Sequence, residues 1–285
     1  METTGIVQVD AFAEEPLAGA PVAVLTEESL ADGQAQRVRR ELGAVAAVTA
    51  AEEIRVAAAR DHAELTAAVG AVAGLSHRDR LEPGEHVVRT ADGDVTAELG
   101  ADGKVGVPAP EQPVDPADLS TDLIAEALGL DPAALRDIGA DLPPATVGAA
   151  GGTLSVGVNF FEHLSQAGPT DELTDLLEEL GIARVCAVTF DTLGRDRDAH
   201  VRVFSADGRE LPASAVGVAA CGAHLARHDV FDADVIVVES GYAVDRPAVV
   251  QTELSGRPSI SGRGLVSLDG EIALPPAKDD EIIEL

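Results

Sequence analysis

Tryptophan is missing from the 285 residues, and the aromatic content is one tyrosine and six phenylalanines. So few rings leave little on which unpaired bases can stack, which argues against single-strand nucleic-acid binding. Lysine is scarce as well. Of 20 basic residues only Lys104 and Lys278 are lysines, against 50 acidic residues, and the formal charge is −30. Such a surface repels nucleic acid and anionic membrane. Two cysteines, Cys186 and Cys221, are too few for a disulfide or zinc framework and read as core residues. No apolar run approaches the roughly 20 residues of a membrane helix, and Met1-Glu2 opens on no basic leader. The expectation is a soluble, unprocessed cytoplasmic protein. Because the acids are spread along the whole chain, the charge reads as a salt-adapted surface, with self-repulsion screened over about 3 Å at 1 M salt. A halophilic protein that loses stability at low salt is expected.

What is present is a repeat. Glu41-Leu42-Gly43 and the apolar run to Thr49 recur as Glu179-Leu180-Gly181 and the run to Thr189. Each copy then has an Arg-Val strand, Ile54-Arg55-Val56 and Val201-Arg202-Val203. The glycine of an Ala-Val-Gly sequence follows each strand at equal distance, Gly70 after Val56 and Gly217 after Val203. Two related lobes with a cleft between them are implied.

Gly5–Phe12 and Pro21–Leu25 predict an opening hairpin, followed by a helix over Ser29–Leu42 that stops at Gly43. Strands are expected at Ala44–Thr49, Ile54–Ala58, Val87–Leu99 and Lys104–Val107. Ala67–Leu75 is apolar on every side, which predicts an enclosed helix. A proline-rich stretch, Ala109–Ala117, leads to short helices at Ser120–Leu128 and from Asp131-Pro132 to Ile138. The second copy predicts a strand at Leu154–Val158, a helix over Thr170–Leu180, then strands at Val185–Phe190 and Val201–Phe204. A second enclosed helix is expected at Ala215–Arg227, then strands at Val235–Glu239, Ala248–Leu254, Ser259–Ser261 and Leu265–Leu268. The fold class is α+β, two similar lobes that are each a curved mixed sheet or barrel around one buried apolar helix. The expected division is an N-terminal lobe over 1–110, with room for a closing strand from the C-terminus, a connecting segment over 111–144, and a C-terminal lobe over 145–285.

Val9-Asp10-Ala11-Phe12 and Gly19-Ala20-Pro21-Val22-Ala23-Val24 resemble the opening "VDAFT..PF.GNPAAV" of the phenazine-biosynthesis isomerase (PhzF-type) family, with Ala20 in place of asparagine. Glu239 to Pro247 resembles its "QG..MGRP" stretch, and Ile260-Ser261-Gly262-Arg263-Gly264 its "V.GGAV" strand. The resemblance runs nearly the full length. It implies the two-lobed fold of diaminopimelate epimerase, a cofactor-independent isomerase that moves a proton, and a homodimer. The family's glutamate in "SETTF", histidine in "CGHAT" and aspartate in "EDPATGSA" carry that chemistry. Aligned on Glu41-Leu42-Gly43, the glutamate position is Ala46; anchored on Gly217, the aspartate position is Ala213. Anchored on Gly70, the histidine position is Ala71, with His62-Ala63 as the other placement.

Alanine carries no titratable group, so general acid–base catalysis is removed at these three positions. The resemblance also implies a substrate carboxylate held at Gly70, Ala71, Ala215, Val216 and Gly217, where helices starting at the two glycines would offer unpaired N–H groups. Whether the chain is an enzyme stays open. One reading is a catalytically impaired relative, a possible pseudoenzyme, that keeps a site for a small anionic metabolite. A second is a working isomerase of a small amino or hydroxy acid with a relocated carboxylate such as Glu52, Glu53 or Glu64, and a third is a structural oligomeric partner. His224 and His228, four apart on a helix, read as a solvated helix end and not as a metal pair. No metal and no nucleotide cofactor is expected, since Gly148–Gly152 lacks the lysine of a phosphate loop.

Overall fold

The computed structural model describes residues 3–26, 30, 32–60, 62–148 and 151–274. Within them the chain forms two compact units. One runs to Val107 and resumes at Arg263, and the other spans Pro108–Gly262. The stretch expected as a connection, 111–144, therefore belongs to the second unit, and residues beyond Arg263 return to the first.

The first unit contains β1 (Thr3–Ala11), β2 (Ala20–Leu25), α1 (Asp32–Glu41), β3 (Ala46–Ala50), β4 (Ile54–Ala59), α2 (Glu64–His77), β5 (Gly84–Thr90), β6 (Gly93–Leu99) and β7 (Lys104–Pro108). The predicted opening hairpin is present, with Ala11 paired to Ala20 and Ile6 to Leu25. The start of α1 expected at Ser29 lies outside the described residues. Val87–Leu99, expected as one strand, is a hairpin, because Ala91-Asp92 turn the chain between Thr90 and Gly93. The last strand of the chain, β15 (Ser259–Ala273), pairs antiparallel with β1 from Ala11↔Gly264 to Thr3↔Ala273 and closes the order β1 to β7 into an eight-stranded barrel. The two short strands expected at Ser259–Ser261 and Leu265–Leu268 are thus one long strand.

α2 fills this barrel. From Leu65 to Leu75 every residue except Ala73 is buried, as its all-round apolar sequence requires. Its small residues let it lie close to the sheet. A Cβ on Gly70 would sit 2.6 Å from Val22 Cβ, and one on Gly74 would sit 2.8 Å from Val9 Cγ2. On the outer face α1 covers Ala23, Leu25 and Ala47, with Val38 and Ala35 as its contact residues.

The second unit contains β8 (Val114–Pro116), α3 (Thr121–Ala127), β9 (Ala145–Val147), β10 (Thr153–Gly157), α4 (Phe161–Gln166), α5 (Asp171–Leu180), β11 (Arg184–Thr189), β12 (Ala199–Ser205), α6 (Ala215–Arg227), β13 (Val235–Ser240) and β14 (Ala248–Glu253). Strands follow the order β14-β13-β12-β11-β10-β9-β8, with Ile260 and Ser261 of β15 pairing beyond β14. Ser120 caps α3 by accepting from Leu123 N–H at 3.2 Å, and Gly181 ends α5 in the left-handed region at φ 64°. The segment from Asp131 forms only a 3-10 turn over Pro132–Leu135. α4 was not anticipated. Its C-terminal carbonyls, Leu164, Ser165 and Ala167, accept from the buried Arg202 guanidinium, which also pairs with Glu210. α6 is this unit's enclosed helix, with Gly217 to Gly222 buried and Gly222 set against Thr252.

Candidate functional site

In the second unit the chain reaches α6 through a left-handed residue, Ala213 at φ 52°. Ser214 follows in an extended conformation and caps the helix, its hydroxyl accepting from Gly217 N–H at 3.3 Å. The N–H groups of Ala215 and Val216 have no partner within the helix. β13 supplies a further group. Ser240 is in parallel register with Val201, so it shares a face with Val201 and Val203. Val203 Cγ2 would lie 2.9 Å from a Cβ on Gly217, which places that face against the first turn of α6. Gly241, next along, packs beside Pro212. Ser240 Oγ is buried and has no hydrogen-bond partner among the described residues. Leaving a buried hydroxyl unsatisfied costs about 1–3 kcal/mol, which a ligand oxygen at this helix start would recover.

The other face of the same two strands holds a second polar group. His200 Nδ1 and Glu239 Oε1 are 2.9 Å apart, and both side chains are buried. Glu239 also accepts from Leu193 N–H at 2.5 Å and Gly194 N–H at 3.0 Å. Burial opposes the charge on Glu239, but the His200 hydrogen bond and the two backbone N–H groups outweigh it and hold the carboxyl below its ordinary range. The His200 ring lies edge-on to Phe161 at 5.0 Å and tilted against Tyr242 at 5.5 Å.

The first unit corrects one sequence expectation. α2 starts at Glu64, so Gly70 and Ala71 lie inside the helix with their N–H groups committed to its ladder. They offer nothing to an anion. Gly70 is small because α2 presses on Val22, a packing reason that neither an anion site nor a tight turn supplies. The residue that matches Ala213 is His62. It is left-handed at φ 56° and stands one position before Ala63, the residue that flanks α2, as Ala213 stands one before Ser214. The equal spacing of Gly70 and Gly217 from their strands hid this, because the connection from strand to helix is shorter in the first copy. Ala46 starts β3 at the same end of this unit. It is buried, in register with Val22 and Ala59, and the carbonyl of Val45 before it accepts from Arg60 N–H at 3.1 Å.

His224 is no solvated helix end. It is fully buried, with Nδ1 3.0 Å from Ser155 Oγ and Nε2 3.0 Å from the Pro143 carbonyl. Burial first, and then the neighbouring His228, lower its pKa to about 4. Cys186 and Cys221 are both buried and free, as expected of core residues. A hydrogen bond from Cys221, followed by burial, pushes the Cys186 thiol well up.

This arrangement of strands and enclosed helices recurs in solved structures. A phenazine biosynthesis protein of the PhzF family from Bacillus anthracis superposes with a TM-score of 0.82 at 20% identity, over 96% of this chain and 100% of that one. The chain has the PhzF-type fold. A predicted epimerase from Pseudomonas aeruginosa matches at TM-score 0.78 and 22% identity, over 94% of this chain and 99% of that one. A hydroxyproline epimerase from Agrobacterium vitis, with bound trans-4-hydroxy-L-proline, matches at 0.57 and 15%, over 95% and 92%. No protein-family model matches the sequence, and no curated protein does. At such identities the PhzF-type likeness establishes the fold, and chemistry has to be argued from residues. Among the described residues no helix is long and apolar enough to cross a membrane.

Proposed function

We propose that this protein is a catalytically impaired relative of the PhzF-type isomerases that retains binding of a small carboxylate at the start of α6. The observation that carries the reading is the buried, unpartnered Ser240 hydroxyl on the face turned to that helix start, where the Ala215 and Val216 N–H groups have no partner within the helix. Main-chain donors and the positive end of the helix dipole attract an anion without any acidic or basic side chain. The expected set of ligand residues is therefore Ala215 and Val216 with Ser240; Gly217, whose N–H is held by Ser214 Oγ at 3.3 Å, and Gly70 and Ala71 are dropped from it.

Impairment is argued from the family positions. His62 takes the histidine position by its place before α2, but Ala46 and Ala213 leave the glutamate and aspartate positions without a proton carrier. The family's glutamate and aspartate are therefore both missing, and the carboxylates beside His62, Glu64 and Asp92, stand at other positions than those two. The proposed setting is a salt-rich cytoplasm. The proposed assembly is a homodimer, in keeping with the exposed Phe160, Leu193, Tyr242 and Val244.

Thermal unfolding in molar KCl against small amino, hydroxy and keto acids tests binding, with Ser240→Val as the variant. A ligand-dependent rise in Tm that Ser240→Val abolishes supports the reading. A rise equal in both proteins places the ligand elsewhere. Incubation of each positive ligand in D₂O then tests impairment. Incorporation of deuterium at its α-carbon would replace the reading with a working isomerase that uses a relocated carboxylate.

A further inference from the structure

In the first copy of the sequence repeat, three side chains that could ligate a metal converge. His62 and Glu64 flank the start of α2, and Asp92 sits at the tip of the hairpin between β5 and β6. One ligand atom from each lies within 4.8 Å of the other two. We propose that His62, Glu64 and Asp92 bind a divalent transition-metal ion of the zinc, cobalt or nickel class. This goes beyond the carboxylate site, involves none of its residues, and stands or falls independently of it.

The fold accounts for the meeting. β4 and β5 are parallel, with Ile54 opposite Val88 and Arg55 opposite Arg89, so both strands end at the same side of the sheet. The chain leaving β4 carries His62 and Glu64 into α2, and the chain leaving β5 turns at Asp92 beside them. Asp92 is held there by its own N–H, which donates to Thr90 Oγ1 at 3.2 Å. Each acid has a local use. Glu64 complements the positive end of α2, and aspartate suits a hairpin tip. Neither use brings the two carboxylates to each other or adds an imidazole between them.

Electrostatics favours a cation at this point. Two carboxylates brought together repel, and among the described residues no arginine or lysine forms an ion pair with either. A donor set of one nitrogen and two oxygens suits a borderline ion better than the hard calcium or magnesium ions, which prefer all-oxygen sites. With bonds of about 2.0–2.2 Å, neighbouring ligand atoms lie about 3–3.5 Å apart, so the side chains have to close by roughly 1 Å. All three are at least partly exposed. Water completes the coordination.

The test is titration of metal-stripped protein in 1 M KCl with Co²⁺, followed by visible absorption, and with Zn²⁺, followed by calorimetry. Molar salt suppresses non-specific attraction to an acidic surface. One equivalent is expected to bind, and each of His62→Asn, Glu64→Gln and Asp92→Asn is expected to weaken binding by at least about tenfold. Asparagine tolerates the left-handed backbone at position 62, so that variant keeps the fold. Asp94→Asn, with the same charge change on β6, is expected to bind as the parent does. Should a variant fail to fold, Cu²⁺ bound to the parent protein is expected to show coupling to a single imidazole nitrogen by electron paramagnetic resonance. Absence of saturable binding, equal binding by all variants, an Asp94→Asn loss equal to that of Asp92→Asn, or no nitrogen coupling would overturn the proposal. Carboxylate-dependent Tm shifts in the metal-free protein read the α6 site separately.

Discussion

His224 makes the fold sensitive to acid in a way that one substitution isolates. Its ring is enclosed between Ser155 and the Pro143 carbonyl, and its pKa falls from 6.5 to about 4. In the unfolded chain the imidazole binds its proton near pH 6.5, and in the folded protein only near pH 4. Between those values the unfolded state holds more protons, so stability falls as pH falls, and the loss is complete below about 4. A depression of this size corresponds to about 3 kcal/mol, of which most is spent between pH 7 and pH 4.5. Other acids titrate over the same range, and their protonation relieves the repulsion of a chain with a charge of −30. The measurement is therefore a difference. Urea unfolding of the parent and of His224→Gln is followed from pH 7.5 to 4.5 at fixed high KCl. At pH 7.5 the variant is expected to be less stable by about 1–2 kcal/mol, because glutamine only partly replaces the two hydrogen bonds. By pH 4.5 it gains about 2–3 kcal/mol relative to the parent, which brings the two level or reverses their order. A difference that does not change with pH would refute the claim that His224 is buried as the neutral ring.

Gly70→Ala is expected to lower stability by roughly 1–3 kcal/mol through collision with Val22, although alanine in an open helix raises it by about 1 kcal/mol; chemical denaturation decides the sign. Glu239→Gln leaves at least one of the donors His200, Leu193 N–H and Gly194 N–H without its acceptor, and a loss of roughly 2 kcal/mol is expected in the same assay. In the parent, the depressed pKa of Glu239 means that its contribution is present above the ordinary carboxylate range and is lost as pH drops through the folded value. Raising KCl from 0.1 to 2 M shrinks the screening length below about 3 Å and is expected to raise Tm by more than about 5 °C, as read by differential scanning calorimetry. A flat or falling Tm would remove the salt-adapted reading of the acidic surface.

Most of the elements were legible because their signals are local. The all-round apolar runs announced both enclosed helices, and α6 runs from Ala215 to Arg227 as its sequence indicates. The opening hairpin and the helix ending at Gly181 followed from turn and cap chemistry. The misreadings had physical causes. Glycine at equal spacing in the two copies looked like a pair of helix starts, but a helical glycine can equally mark a close approach to a strand, and Gly70 is that case. His224 looked solvated because the end of a helix is exposed on average; here Pro143 and Ser155 cover it from other segments.

The sequence alone therefore determined the α+β class, the two-copy plan, the enclosed helices and the net charge, all of which depend on composition, periodicity and short-range conformational preference. Only the tertiary structure decided which residues meet. The convergence of His62 and Glu64 with Asp92 depends on the parallel pairing of β4 and β5, and the exposure of Ser240 to the first turn of α6 depends on its register with Val201. Register and strand order are long-range choices, and a shift of one residue would have turned Ser240 to the opposite face of its sheet.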